Sequence, residues 1–249
     1  MRVERVDIHT FEKRLSSREL AEPEARVRLR DEATLLAALG GTVTPKLVGT
    51  GEDERGPWLR MERIPFPTLA TRLAGPTLAP AWIERATRAA FHALAELHEA
   101  RDASGPLLVV HADISASNLA LDDDGTRAVL LDLELATWRG SAARDGAFRG
   151  TVGTCAPEVA RGEAPTVASD LFALAATLLH AAIGAPLRDG PSLAALLAVA
   201  AERPILDEPV IARLDLAARG PAHAALLRCL AHAPSDRPKT ARAVLELLA

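Results

Sequence analysis

The sequence predicts an α+β fold in two lobes, a small strand-rich one followed by a larger helical one. Three observations carry this expectation. Short β-prone segments gather in the first 64 residues, the pattern from Ser169 onward is almost wholly helical, and Pro65 and Pro67 break the chain between the two. The lobe boundary is therefore expected at residue 64, with 1–64 as an abbreviated first lobe and 65–249 as the helical one, together making one domain.

Taken in order, Val6 to Leu15 alternates imperfectly and reads as a strand with Ile8 and Phe11 as core residues. Ala25 to Leu39 reads as a helix stopped by Gly40-Gly41. Leu47-Val48-Gly49 and Trp58 to Glu62 flank a polar, Gly-containing segment, Thr50 to Pro57, and make a hairpin. Pro80 to Ala100 carries Ile83, Ala86, Ala90, Leu94 and Leu97 at the three-and-four spacing of a helix with one buried face. Two short strands, Asn118 to Leu121 and Ala128 to Leu131, flank the turn Asp122-Asp123-Asp124-Gly125, which is a solvated tip rather than a calcium loop because no closing Glu follows it. Further helices are expected over Leu193 to Ala201, Ala222 to Ala231 and Thr240 to Leu248.

Composition narrows the function. Apolar residues make up 49% and charged residues 25%, ordinary for a soluble globular chain. A net charge of −4, with eight basic and eight acidic side chains balanced in the first 36 residues, leaves no basic footprint for nucleic acid or an anionic membrane. Cys155 and Cys229 form neither a disulfide framework nor zinc-ligand spacing, which fits a reducing, cytoplasmic setting. The longest apolar stretch, Leu171 to Ala185, is interrupted by His180 and is short for a membrane span, so a buried helix is expected there.

The strongest chemical statement is His111-Ala112-Asp113-Ile114-Ser115-Ala116-Ser117-Asn118, followed by an apolar run ending at Asp132. An Asp, an Asn five positions on and a second Asp one hairpin later gather three oxygen-bearing side chains. Phosphoryl transfer needs a carboxylate near the attacking hydroxyl and hard oxygen ligands for the Mg²⁺ that neutralises nucleotide phosphates. Asp113 suits the first role, Asn118 and Asp132 the second.

Here the chain resembles the protein kinase family. The family's catalytic loop reads His-Arg-Asp-Leu-Lys-Pro-x-Asn and its magnesium motif Asp-Phe-Gly; this chain has His111-Ala112-Asp113 with Asn118, and Asp132-Leu133-Glu134. Gly150-Thr151-Val152-Gly153-Thr154-Cys155-Ala156-Pro157-Glu158 resembles the segment ending in Ala-Pro-Glu. Ser169-Asp170 resembles the start of the buried central helix, and Asp236-Arg237-Pro238 the late Arg-Pro motif. Five such strings in the right order cover residues 28–249 well and the first 27 poorly.

The resemblance implies a bilobal protein-kinase-like fold, the cofactors ATP and Mg²⁺, and a protein substrate or protein partner. By it, Lys13 holds the α- and β-phosphates and pairs with Glu32, while Met61 stands as gatekeeper before Glu62 and Ile64, whose backbone meets the adenine edge. His111 is scaffold, Asp170 braces the catalytic loop or caps its helix, and Glu158 and Arg237 form a buried ion pair. Only Lys13, Lys46 and Lys239 are lysines among 29 basic residues, so a Lys 19 residues before a helical Glu suggests that a compact ammonium is required. The rival readings are a solvated strand-edge Lys13 and a surface ion pair at Glu32; Lys46 is expected at the surface.

Four departures from the family pattern stand out. The chain begins 12 residues before Lys13 and its first glycine is Gly40, so the glycine-rich phosphate loop is missing from this sequence. Ser115 replaces the catalytic-loop cation, Ala112 replaces the Arg that docks a phosphorylated activation segment, and Glu134 replaces a Gly. The expected activity is transfer of the ATP γ-phosphoryl group to a protein Ser or Thr, with Gly-Thr-x-Gly at Thr151 favouring Ser/Thr over Tyr. Alternatives are a pseudokinase acting as an interaction module and a small-molecule phosphotransferase.

Overall fold

A computed structural model describes residues 2–142, 148–188, 190–206, 210 and 221–249. The chain opens with a four-stranded antiparallel sheet: β1 (Arg2–Arg5), β2 (Thr10–Arg14), β3 (Leu47–Asp53) and β4 (Gly56–Glu62), in the spatial order β1-β2-β4-β3. The single strand expected over 6–15 is instead the end of a hairpin. Asp7 accepts hydrogen bonds from the N–H groups of His9 (2.7 Å) and Thr10 (2.8 Å), a local side-chain turn that reverses the chain. Ile8 consequently lies at the turn and is 61% exposed rather than in the core, and Phe11 is half-buried. The second hairpin is tighter than its polar composition suggests: β3 and β4 pair as far as Asp53 and Gly56, and only Glu54 and Arg55 turn. Gly56 is required there, since it has φ +100° and a Cβ would lie 2.6 Å from Leu20 Cδ2.

Helix α1 (Pro23–Leu39) lies against this sheet. Pro23 opens it and Gly40, at φ 68°, closes it. Its buried positions include Ala25, Arg28, Leu29, Glu32 and Leu36, which lie on one face of the helix, so two charged side chains share the stripe with the apolar ones.

The remainder is largely helical. After α2 (Leu69–Leu73) and α3 (Pro80–His98) come a two-residue ribbon, β5 (Arg101–Asp102) with β6 (Gly105–Pro106), and the hairpin β7 (Leu119–Leu121) with β8 (Ala128–Leu130). Then follow α4 (Pro157–Ala160), α5 (Val167–Ile183), α6 (Leu193–Glu202), α7 (Pro221–Cys229) and α8 (Ala241–Leu247). Ile83, Ala86, Ala90, Leu94 and Leu97 of α3 are all buried, as their spacing predicts. Helix α5 is buried nearly all round and packs against α3 and α7; among the described residues no helix is long and apolar enough to cross a membrane. Its N-cap is Thr166, in a capping box with Ser169, which leaves Asp170 free of capping duty.

Candidate active site

Asp170 uses that freedom on the catalytic loop. Its carboxylate is 1% exposed and accepts the N–H groups of His111 (2.7 Å) and Ala112 (3.0 Å), with His98 Nε2 2.9 Å away. The loop needs such a brace because Ala112 has φ 66°, a left-handed conformation that a non-glycine residue adopts at a cost of roughly 1–2 kcal/mol. His111 is fully buried, its Nε2 3.1 Å from the Leu131 carbonyl and its Nδ1 accepting the Asp113 N–H at 3.3 Å, so it is scaffold.

The loop then presents Asp113. Asn118 Nδ2 donates to its carbonyl (2.9 Å) and to Oδ2 (3.0 Å), while the Thr151 N–H and hydroxyl both donate to Oδ1 at 2.9 Å. The carboxylate is thereby fixed from two sides, with a lone pair of Oδ2 still available. Gly150 allows Thr151 this approach: at φ +115° a Cβ there would lie 3.2 Å from Asp113 Oδ1.

Asp132 follows β8 and also has a left-handed backbone, φ 59°. Its Oδ1 receives Lys13 Nζ at 2.6 Å and the Glu134 N–H at 3.3 Å. Lys13, 2% exposed, also meets Glu32 Oε2 at 2.8 Å and Glu134 Oε2 at 3.4 Å. Burial disfavours the Lys13 ammonium, but Glu32, Asp132 and Glu134 outweigh it and raise its pKa. Burial lifts the Glu32 carboxyl to about 7 against the pull of Lys13. Burial also pushes Asp132 upward, and Lys13 more than reverses this, leaving it below the ordinary carboxylate range. Neither the strand-edge reading of Lys13 nor the surface-pair reading of Glu32 survives this geometry. Glu32 Oε1 further accepts the Leu133 N–H at 3.2 Å, and Arg28 Nε reaches Glu134 Oε1 at 3.1 Å. Helix α1 thus grips the turn directly at Leu133 and Glu134, and Lys13, paired with Glu32, holds Asp132. Arg28 was legible in the sequence only as a neighbour of Glu32.

Asp113, Asn118 and Asp132 line one cavity of about 360 Å³. Asn118 Oδ1 and Asp132 Oδ2 take no hydrogen bond among the described residues, and this pair of hard oxygen donors suits a Mg²⁺ that also binds nucleotide phosphate. The described residues hold no cluster of three or more His, Cys, Asp or Glu that would cage a metal without such a ligand. Glu62, the last residue of β4, and Ile64, just beyond it, stand apart: the Glu62 N–H donates to the Lys46 carbonyl at 2.8 Å, whereas the Ile64 N–H meets no acceptor among the described residues. Lys46 is exposed.

A small antiparallel sheet with one helix, a helical lobe, and a braced Asp/Asn loop with a Lys–Glu–Asp cluster define a two-lobed α+β architecture. The sequence model of the protein kinase domain matches residues 9–246, and the chain belongs to that family. It is 32% identical over 234 residues to the tyrosine-protein kinase MasK of Myxococcus xanthus, covering 91% of this chain and 36% of that protein. To the DNA damage-responsive serine/threonine-protein kinase RqkA of Deinococcus radiodurans it is 31% identical over 229 residues, 89% of this chain and 32% of that one. To the serine/threonine-protein kinase AfsK of Streptomyces griseus it is 30% identical over 172 residues, 67% and 20% respectively. The chain therefore spans between 20% and 36% of the length of these relatives.

Proposed function

We propose that this chain is an ATP- and Mg²⁺-dependent protein kinase that phosphorylates Ser or Thr hydroxyls. The observation that carries the reading is the convergence of Asp113, Asn118 and Asp132 on one cavity, with Lys13 and Glu32 joined behind Asp132. In this reading Asp113, held by Asn118 and Thr151, orients the acceptor hydroxyl and takes its proton as the phosphoryl group moves. Asn118 and Asp132 hold the metal, Lys13 neutralises phosphate charge, Glu32 positions Lys13, and the backbone of Glu62 and Ile64 receives the adenine edge. The magnesium ion, when bound, neutralises the charge of the transferring phosphoryl group. The first lobe ends at residue 64, and the two buried, free thiols suit a reducing cytoplasm.

Incubating the purified chain with Mg-ATP and an array of Ser, Thr and Tyr peptides tests this. The expected result is Ser/Thr phosphorylation that Asp113→Ala reduces by roughly 10²–10⁴. Equal signals from the two proteins overturn the reading. The chain has no tyrosine, so any autophosphorylation is on Ser or Thr.

A second reading, a pseudokinase that serves as an interaction module, draws on Ser115 in the place of a cation and on the three carboxylates already gathered on Lys13. Nucleotide-dependent stabilisation without turnover would select it.

A further inference from the structure

We propose that Arg188 makes the acceptor side of the catalytic cavity a receptor for an acidic side chain of the protein substrate, placed within two or three residues of the hydroxyl to be phosphorylated. The proposal rests on the kinase reading above and adds a determinant of substrate choice to it.

Two buried arginines flank the ring of Phe172 on α5, Arg237 at 4.8 Å and Arg188 at 5.5 Å from its centroid. They are 2% and 7% exposed, yet their hydrogen bonding differs completely. Every guanidinium nitrogen of Arg237 has an acceptor: Nε the Ala231 carbonyl (2.8 Å), Nη1 Glu158 (2.6 Å) and the Ala168 carbonyl (3.0 Å), Nη2 Glu158 (2.8 Å) and the His232 carbonyl (3.0 Å). Arg188 has one, from Nη1 to the Cys155 carbonyl at 2.6 Å. Its Nε and Nη2 are buried, and among the described residues they have no partner and no carboxylate lies within 4.0 Å of the side chain.

An arginine stays charged when buried, so its open donors are a cost that the folded chain does not recover. Burial also pulls the Arg188 pKa below its ordinary value, and the neighbouring Cys155 opposes this only in part. The two open nitrogens matter by their arrangement. Nε and Nη2 form one edge of the guanidinium, a pair of parallel N–H donors matched to the two oxygens of a carboxylate.

Location selects the occupant. Arg188 lines the same cavity as Asp113, beside Gly153, Thr154 and Leu187, and is the only Lys or Arg among the described residues that line it. Partial burial lowers the pKa of the cavity's His180 and so disfavours its charged form. This cavity holds Asp113 and the metal residues Asn118 and Asp132 but not Lys13, the residue assigned to nucleotide phosphate, and in the proposal the Arg188 edge is directed toward Asp113. A cavity of about 360 Å³ accommodates two or three residues of extended chain at about 3.3 Å each. A carboxylate near the acceptor hydroxyl reaches Arg188 within that span, and the cavity's two aspartates repel one placed elsewhere.

The test is binding of Ala-acceptor peptides in which Glu or Gln is scanned through the three positions on either side of the Ala, read by fluorescence anisotropy. One position is expected to bind Glu at least about tenfold more tightly than Gln, the ratio of one charge-assisted pair, with Arg188→Gln bringing the ratio close to one. A wild-type ratio near one at every position, or a ratio that survives Arg188→Gln, overturns the proposal. If Arg188→Gln does not fold, Arg188→Lys decides: it keeps the charge and loses the fork, so a fallen ratio supports the proposal and an unchanged one sinks it. Ser-acceptor versions with Mg-ATP separate the two claims. Glu discrimination without phosphorylation removes the kinase reading and leaves the acid receptor standing; phosphorylation indifferent to Glu at every position does the reverse.

Discussion

At the scale of single residues, burial combined with partner count separates structural charges from functional ones. Arg237 is buried and saturated, so Arg237→Ala strands the Glu158 carboxylate in the interior. We expect a loss of about 3–5 kcal/mol in chemical denaturation rather than a selective effect on chemistry. Asp53 illustrates the opposite exposure. Arg14 holds it with a pair of hydrogen bonds, Nη1–Oδ1 at 2.8 Å and Nη2–Oδ2 at 2.7 Å, and lowers its pKa to about 2 from an ordinary 3.8. Because the folded value is the lower one, the stabilisation is complete above the ordinary value and disappears as pH falls through about 2. Denaturation midpoints of Asp53→Asn and the parent should therefore differ at pH 7 and converge near pH 2.

At the scale of elements, the informative unit is α1 with the turn it grips. Glu32 reaches Lys13 and the Leu133 N–H, and Arg28 reaches Glu134, one helical turn earlier on the same stripe. Glu134 therefore replaces the flexibility of a Gly with a tether to α1. A double-mutant cycle on Arg28→Ala and Glu134→Ala should give a coupling of about 1 kcal/mol or more, since both side chains are largely buried, 10% and 19% exposed. Most elements were legible in the chain because their signals are local: the Pro23 start and Gly40 stop of α1, the apolar stripe of α3, the Asp-Gly turn between β7 and β8. The first strand was misread for an equally physical reason. Asp7 competes for backbone N–H groups within three residues and turns the chain where alternation alone predicts continuation.

At the scale of the whole molecule, the ion pair between Lys13 and Asp132 joins groups 119 residues apart, tying the small sheet to the hairpin of the helical lobe. If the cleft between them binds Mg-ATP, nucleotide at about 100 times its dissociation constant should stabilise the chain by ~2.7 kcal/mol in thermal denaturation. Lys13→Met should lose most of that increment, and a variant stabilised like the parent would remove Lys13 from the phosphate site.

The identity and order of the oxygen-bearing residues were determined by the sequence itself, because Asp113 and Asn118 are joined through a short loop and Asp132 follows one hairpin later. The class of fold was too, because helical and strand periodicities are properties of neighbours. Only the tertiary structure decided that Glu32 is buried against Lys13, that Asp170 braces a strained loop rather than capping its helix, and that two donors of Arg188 meet no acceptor among the described residues. Those facts depend on which distant groups enclose a side chain and how many acceptors they bring, and no spacing along the chain encodes that count.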